Sequence, residues 1–295
     1  MPHATVLARP ARLLVVEGNT ASARGRHTLF GGEAPSEGYA RLLRQLLPGA
    51  VVDICYPADA GANLPDPDGL AGYDGIAITG SSLNIYNGGP EIARQVELIR
   101  AGFASGTPLF GSCWGLQVLA VAAGGAVRKN PRGRELGFGR RIQVTPAGAR
   151  HPLYAGKAAV FEAMTVHLDE VETLPAGAEL LATNGHSTVQ AAEIRHGAGV
   201  AWGVQYHPEY PFREMAAIIR RIGDAVFEEG FFADVADRDA FTSDLEALEA
   251  RPGDPRLGWK YGIGDSLMRR DEQVREIANW LERQVRPTRA ARGRG

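Results

Sequence analysis

The sequence predicts an α/β fold in which a doubly wound, mostly parallel sheet is flanked by helices. Buried apolar strands alternate with helical patterns through the first part of the chain. From about residue 126 to residue 206 the pattern changes to short strands separated by turn residues. With 295 residues, of which 44% are hydrophobic and 22% charged, the chain is long enough to bury a full core.

The first part of the chain carries the strands of the predicted parallel sheet. Strands that are separated by helices pair in parallel through right-handed crossovers. The predicted strands are ARLLVVEG (11–18), AVVDICYP (50–57), GIAITG (75–80) and TPLFG (107–111). The predicted helices are SEGYARLLRQLL (36–47), PEIARQVELIRAGFASG (90–106) and one that begins after Cys113. The segment 19–35 is long for a connection between a strand and a helix, so we interpret it as a functional flap or a mobile loop.

The second part predicts strands that pair partly antiparallel, and then helices. Strand patterns occur in GFGRRIQVTPAG, AAVFEAMTVH, AELLATNG, VQAAEIRHG and VAWGVQYHPEY, and helical patterns at 214–230, 237–250 and 269–285. We divide the chain into an N-terminal segment (1–10), a main α/β domain (11–230), a helical extension (231–285) and a basic tail (286–295) that we predict to be disordered.

Composition and charge exclude several classes of protein. Two cysteines are too few for a disulfide framework, and no secretory leader pattern opens the sequence, so we expect a cytoplasmic protein. No apolar run suits a membrane helix, and a net charge of -2 gives no broad attraction to nucleic acid. No Cys/His spacing suggests a zinc site, and we predict no metal and no cofactor.

Cys113 lies in GSCWG, where a predicted strand becomes a helix. Free backbone N–H groups at a helix start favour the thiolate form of a cysteine, which is its nucleophilic form. Flanking glycines permit the tight turn of a nucleophile elbow, and the N–H of Trp114 would face an oxyanion. The alternative is a small cysteine packed at a strand end.

His207 and Glu209 lie in WGVQYHPEY, directly after a predicted apolar strand. A carboxylate two positions from a histidine can orient one ring nitrogen and leave the other for a thiol. Alone, the tripeptide His-Pro-Glu (207–209) is more typical of a surface turn. Together with the cysteine turn, it predicts a Cys-His-Glu triad.

These motifs resemble those of the class I, triad-type glutamine amidotransferases, whose patterns are G-x-C-x-G-x-Q and G-x-Q-x-H-P-E. GSCWGLQ and GVQYHPE match both patterns, ITGSS (78–82) resembles the loop that carries an oxyanion glycine, and MTVHLDEVETLPAGAELLAT (164–183) resembles the family's histidine segment. The resemblance covers about residues 11–225 and is closest to the stand-alone branch related to the glutaminase domain of GMP synthase. It implies the flavodoxin-like fold of that family.

The resemblance also implies roles for individual residues. Cys113 would attack the side-chain amide of glutamine, His207 would act as base and then as acid, and Glu209 would orient His207. Gly80 and Trp114 would supply oxyanion N–H groups, and Gln117, Val166 and His167 would contact the amino-acid end of the substrate. For His167 and Asp169 a structural role is equally compatible with the sequence.

Three features depart from the family pattern. TGSS stands where synthase-linked members carry Gly-Gly-Pro, the segment 19–35 has no counterpart in the simplest members, and residues 231–295 are too few for an acceptor domain and lack a phosphate-binding glycine loop. The sequence therefore supports cleavage of an amide better than it supports any particular acceptor for the ammonia that this cleavage would release.

Three functions remain open at this point. The first is a glutaminase that delivers ammonia to a separate synthase, docked through segment 19–35 or through a helix face formed by Val274, Ile277, Ala278 and Leu281. The simpler alternative, which we favour, is that this face packs on the main domain. The second is a stand-alone hydrolase or transferase of γ-glutamyl amides or peptides. The third is a catalytically silent binding or regulatory protein.

Overall fold

A nine-stranded sheet crosses the molecule in the computed structural model, which describes residues 9–65 and 67–294. The strands are β1 (Arg12–Val16), β2 (Val51–Cys55), β3 (Gly75–Ile78), β4 (Leu109–Ser112), β5 (Ala126–Lys129), β6 (Gly137–Val144), β7 (Val160–Thr165), β8 (Asp169–Thr173), β9 (Ala178–Thr183), β10 (Ala191–His196) and β11 (Gly199–Val204). The order in the large sheet is β2-β1-β3-β4-β11-β10-β9-β6-β7, and β5 pairs with β8 separately.

The helices follow the predicted alternation and continue to the end of the described chain. They are α1 (Ala21–Thr28), α2 (Pro35–Leu46), α3 (Pro90–Ala104), α4 (Trp114–Ala122), α5 (Phe212–Ile222), α6 (Ala225–Glu228), α7 (Val235–Ala250), α8 (Pro255–Tyr261), α9 (Asp265–Met268), α10 (Arg270–Gln273), α11 (Arg275–Trp280) and α12 (Arg286–Ala291), with a π-helical turn at Leu281–Val285 between the last two.

The strand pairing confirms the predicted fold class. The five strands β2, β1, β3, β4 and β11 are parallel, and the strands beyond β11 pair antiparallel. The parallel part has the order of a flavodoxin-like sheet, in which ligands bind at the carboxyl ends of the strands near the point where the order reverses. The register pairs Val204 of β11 with Ser112 of β4, so the chain after each strand emerges at the same edge.

Helices cover both faces of the parallel strands. Because side chains alternate along a strand, Leu13 and Val15 of β1 pack with α2 on one face, and Leu14 and Val16 pack with α3 and α4 on the other. The first face is completed by the C-terminal extension, whose Trp280 is fully buried. Val274, Ile277 and Leu281 are buried in the same core, so this helix face packs on the main domain and is not a docking surface.

The structure differs from the sequence-based predictions in three segments. The segment 19–35 contains the helix α1, whose N-cap Thr20 accepts a hydrogen bond from Ala23 N. The predicted helix 214–230 is broken at Gly223, whose φ is 71°. The described part of the tail (286–294) is not disordered: it forms α12, and Arg292 and Arg294 donate hydrogen bonds to the carbonyl oxygens of Tyr73 and Ala71.

Most of the predicted N-terminal segment (1–10) lies outside the described residues. None of the described helices is long and apolar enough to cross a membrane.

Candidate active site

A cavity of about 370 Å³ opens at the carboxyl ends of the parallel strands. Cys113, His207 and Gly80 all line it, as do Gln117, Val166 and His167. The structure therefore brings together residues that lie far apart in the sequence, and Trp114 is adjacent as the first residue of α4. A volume of this size suits a small-molecule ligand.

Cys113 occupies a strained turn between β4 and α4. Its φ of 54° and ψ of -103° lie outside the regions that ordinary residues favour. Glycine is required on both sides, because a Cβ on Gly111 would lie 2.4 Å from the Gly115 carbonyl carbon and one on Gly115 would lie 2.6 Å from Ile78 O. Cys113 N donates to Val204 O at 2.8 Å, which fixes the turn to the strand that precedes His207. This is the backbone geometry of a nucleophile elbow.

His207 and Glu209 form a buried pair. His207 Nδ1 lies 2.7 Å from Glu209 Oε1, and the imidazole stacks on Tyr210 with ring centroids 3.9 Å apart. Burial by itself lowers the pKa of His207, but Glu209 and then Cys113 outweigh it and raise that pKa to about 10. No described residue is within hydrogen-bonding geometry of Nε2.

Gly80 lies against the ring of His207. A Cβ at this position would be 2.6 Å from His207 Cε1, so glycine is what lets the two segments approach. The Gly80 carbonyl accepts hydrogen bonds from Thr79 Oγ1 at 2.9 Å and Asn19 Nδ2 at 3.2 Å. Within the described residues, the backbone N–H groups of Gly80 and Trp114 are not donated to any other group.

Gln117 and His167 lie together on another wall of the cavity. Gln117 Nε2 donates to Asp169 O at 3.2 Å, and His167 Nδ1 lies 3.0 Å from the same oxygen. His167 Nε2 lies 2.8 Å from Glu135 Oε2. Both ring nitrogens of His167 therefore lie against oxygen atoms of the protein and have partners within it. Val166 contributes to the lining of the cavity.

Sequence reasoning missed Glu135. It accepts hydrogen bonds from Gln190 at 2.8 Å and Asn184 at 2.7 Å as well as from His167. Burial raises the pKa of Glu135, but His167 and the two amides outweigh it, so the pKa lies below its ordinary value. In the sequence, neither Glu135 nor its neighbour Arg134 belongs to a local pattern that would distinguish it from a surface residue.

Asp169 also lines the cavity, and its carboxylate has two partners. Its Oδ2 accepts from Asn84 at 2.7 Å and its Oδ1 from Tyr86 at 3.0 Å. Burial first, and the hydrogen bond to Asp169 second, raise the pKa of Tyr86 to about 12, so Tyr86 remains a donor.

The C-terminal extension holds the loop of the His207–Glu209 pair. Arg270 Nη2 donates to Glu209 O at 2.8 Å, and Gln273 Nε2 donates to Tyr210 O at 2.7 Å. One turn further, the buried carboxylate of Glu276 accepts from Tyr206 at 2.8 Å. Sequence reasoning did not identify these residues, because their partners lie about sixty positions away.

The helix α1 forms an outer wall of the cavity. His27 pairs with Glu214 of α5, and Arg24 pairs with Asp59 at 2.6 Å. Segment 19–35 is thus an ordered part of the site. In residues 9–65 and 67–294, no group of three or more His, Cys, Asp or Glu side chains is placed to hold a metal ion.

Comparisons with known proteins show the family of the chain. Residues 46–222 match the family model "Glutamine amidotransferase class-I". The chain is 36% identical, over 94% of both chains, to the gamma-glutamyl-L-1-hydroxyisopropylamide hydrolase of a Pseudomonas species. It is 32% identical to the GMP synthase of Thermomicrobium roseum over half of this chain, which spans only 25% of that synthase. The crystal structure of a glutamine amidotransferase from Methylobacillus flagellatus superposes with a TM-score of 0.60, at 22% identity, over 92% of this chain and 94% of that one.

Proposed function

Because the chain belongs to the class I glutamine amidotransferase family, we propose that it is a cysteine hydrolase that acts alone on γ-glutamyl amides or peptides. One observation carries the proposal: similarity to a γ-glutamyl amide hydrolase extends over 94% of both chains. The shared length includes the region of the extension that holds the Glu209 loop.

In the proposed reaction, the Cys113 thiolate attacks the γ-carbonyl carbon of the substrate. The N–H groups of Gly80 and Trp114 stabilise the oxyanion that forms. The carbon–nitrogen bond breaks as His207 donates its proton to the leaving nitrogen, and a γ-glutamyl thioester remains on Cys113.

Water then attacks the thioester while His207 accepts its proton. Glutamate leaves, and the thiolate and the imidazolium are restored. Glu209 keeps the imidazole oriented through Nδ1 in both steps. An amine in place of water would make the second step a transfer.

Ammonia delivery to a separate synthase has less support than hydrolysis. The helix face suggested for docking is buried, and the similarity to a GMP synthase spans a quarter of that protein. We expect the leaving amine or ammonia to be released to solvent.

The test is turnover by the purified chain without a partner, measured as glutamate released from glutamine, γ-glutamylethylamide and a γ-glutamyl dipeptide. Cys113→Ala should abolish release, and Cys55→Ala should not. We expect Cys113-dependent cleavage of the substituted amide or the dipeptide. Feeble turnover of glutamine alone, restored by a co-purifying protein, would contradict the proposal in favour of a synthase subunit. Absence of Cys113-dependent turnover on all three would favour a silent protein.

A further inference from the structure

Arg221, at the end of α5, carries a charge without a counter-ion inside the cavity of Cys113. Its side chain lines that cavity, and its Nε is buried without a hydrogen-bond partner. Across residues 9–65 and 67–294, no carboxylate forms an ion pair with Arg221. A desolvated guanidinium stays protonated, so its unmet donors are a penalty that an anion would relieve.

Two other arginines in the cavity wall have partners. Arg24 is paired with Asp59 at 2.6 Å, and Arg134 makes two hydrogen bonds to Glu229 at 2.8 and 3.1 Å. Arg221 is therefore the arginine of this wall whose donors are free, as far as the described residues show.

The surroundings do not neutralise Arg221. The nearby Glu214 is engaged by His27 and by Glu33 N. Burial lowers the pKa of Arg221 below its ordinary value and Arg26 adds to the shift, while Tyr210 and the charge of Glu214 oppose it without reversing it. The positive charge is thus held in a partly desolvated position in the cavity that Cys113 and His207 also line.

We propose that Arg221 binds a carboxylate of the substrate, an inference that rests on the proposed γ-glutamyl hydrolase function. Arg forms planar, bidentate hydrogen bonds with carboxylates, which suits the free guanidinium. Two carboxylates have the required chemistry: the α-carboxylate of the γ-glutamyl group, and the carboxylate of an amino acid leaving group.

The experiment measures binding in the Cys113→Ala background, where substrates stay intact. Dissociation constants are determined by calorimetry for glutamine, γ-glutamylglycine and γ-glutamylglycinamide, with Arg221 intact and as Arg221→Gln or Arg221→Lys. The control is Arg220→Gln, since Arg220 is the preceding residue of α5 but pairs with Glu246 outside the cavity. Melting curves establish that each variant is folded.

We expect Arg221→Gln to weaken binding by roughly 10-fold to 100-fold, as loss of a charged hydrogen-bonded pair predicts. Arg221→Lys should recover part of the affinity, and Arg220→Gln should change nothing. Equal loss for all three ligands identifies the α-carboxylate. Loss confined to γ-glutamylglycine identifies the carboxylate of the leaving group.

Equal affinity of the Arg221→Gln variant and of the protein with Arg221 intact for every ligand overturns the inference, and so does failure of all three ligands to bind. The proposed function fails separately, if the chain with Cys113 intact binds these compounds but does not cleave them.

Discussion

Arg270 of the C-terminal extension donates its Nη2 to the carbonyl oxygen of Glu209 at 2.8 Å, directly behind the His207–Glu209 pair. The same guanidinium lies 3.4 Å from the carbonyl oxygens of Pro208 and Tyr210. The loop that carries the proposed base and its orienting carboxylate is therefore fixed by a residue about sixty positions away.

Arg270→Met keeps an unbranched side chain but removes these donors. We expect kcat to fall by roughly 10-fold to 100-fold, because small displacements of catalytic groups have effects of this size, while KM changes little. Arg269→Met is the control, since Arg269 is exposed and pairs with Asp271. A folded Arg270→Met protein with unchanged kcat would remove Arg270 from this role.

The two cysteines should differ in reactivity. Cys55 is buried, and burial raises the pKa of its thiol to about 12, so little thiolate exists at neutral pH. Cys113 lines the cavity. Brief treatment with iodoacetamide followed by peptide mapping should find the label on Cys113 first, and initial labelling of Cys55 would argue against Cys113 as the nucleophile.

Replacing Glu209 should change how His207 titrates. Glu209 is the largest of the influences that raise the pKa of His207 to about 10, so Glu209→Gln should lower that pKa substantially. Nitrogen chemical shifts of the imidazole measured against pH give the pKa directly.

The same pair makes stability depend on pH. The pKa of His207 in the folded state lies above its unfolded value of about 6.5. The pair therefore contributes fully to the free energy of unfolding below that pH, and this contribution is lost as pH rises through about 10. Denaturant unfolding should show that the free energy of unfolding falls less between these two pH values in the Glu209→Gln variant than in the parent protein. Identical pH profiles would show that Glu209 does not set the protonation of His207.

Gly80→Ala tests the close approach of the Gly80 loop to His207. The added Cβ would lie 2.6 Å from His207 Cε1, so the ring or the loop must move. We expect kcat to fall by roughly 100-fold, as for displacement of a catalytic group by about 1 Å. Gly185→Ala is the matched control, because no atom lies within 4 Å of the added Cβ and its φ is not positive. Equal effects of the two substitutions would contradict this reading of the contact.

The sequence predicted the parts of the molecule whose signals are local. Apolar runs and helical periods predicted β1, β3, β4 and α3. The glycines that the turn around Cys113 requires lie beside it in the sequence, so that turn was also predicted. The convergence of Cys113 and His207 in one cavity follows from parallel strands that end at the same edge.

What the sequence did not reveal depends on contacts between distant segments. Glu135 and Arg270 resemble surface residues until the fold places His167 and the Glu209 carbonyl beside them. The helix α1 is similar, since its packing against α5 includes the contact between His27 and Glu214. Local propensity for these segments is weak, and tertiary contacts decide their structure.

The position of the buried extension has a consequence for the protein during its synthesis. A ribosome completes Cys113 and His207 well before Arg270 and Trp280, and the N-terminal segments of a chain begin to fold first. One face of the parallel sheet then still lacks its cover, and the loop of the proposed base lacks its support. We expect the nascent chain to hold Cys113, His207 and Glu209 yet remain inactive until the segment that carries Arg270 and Trp280 is released.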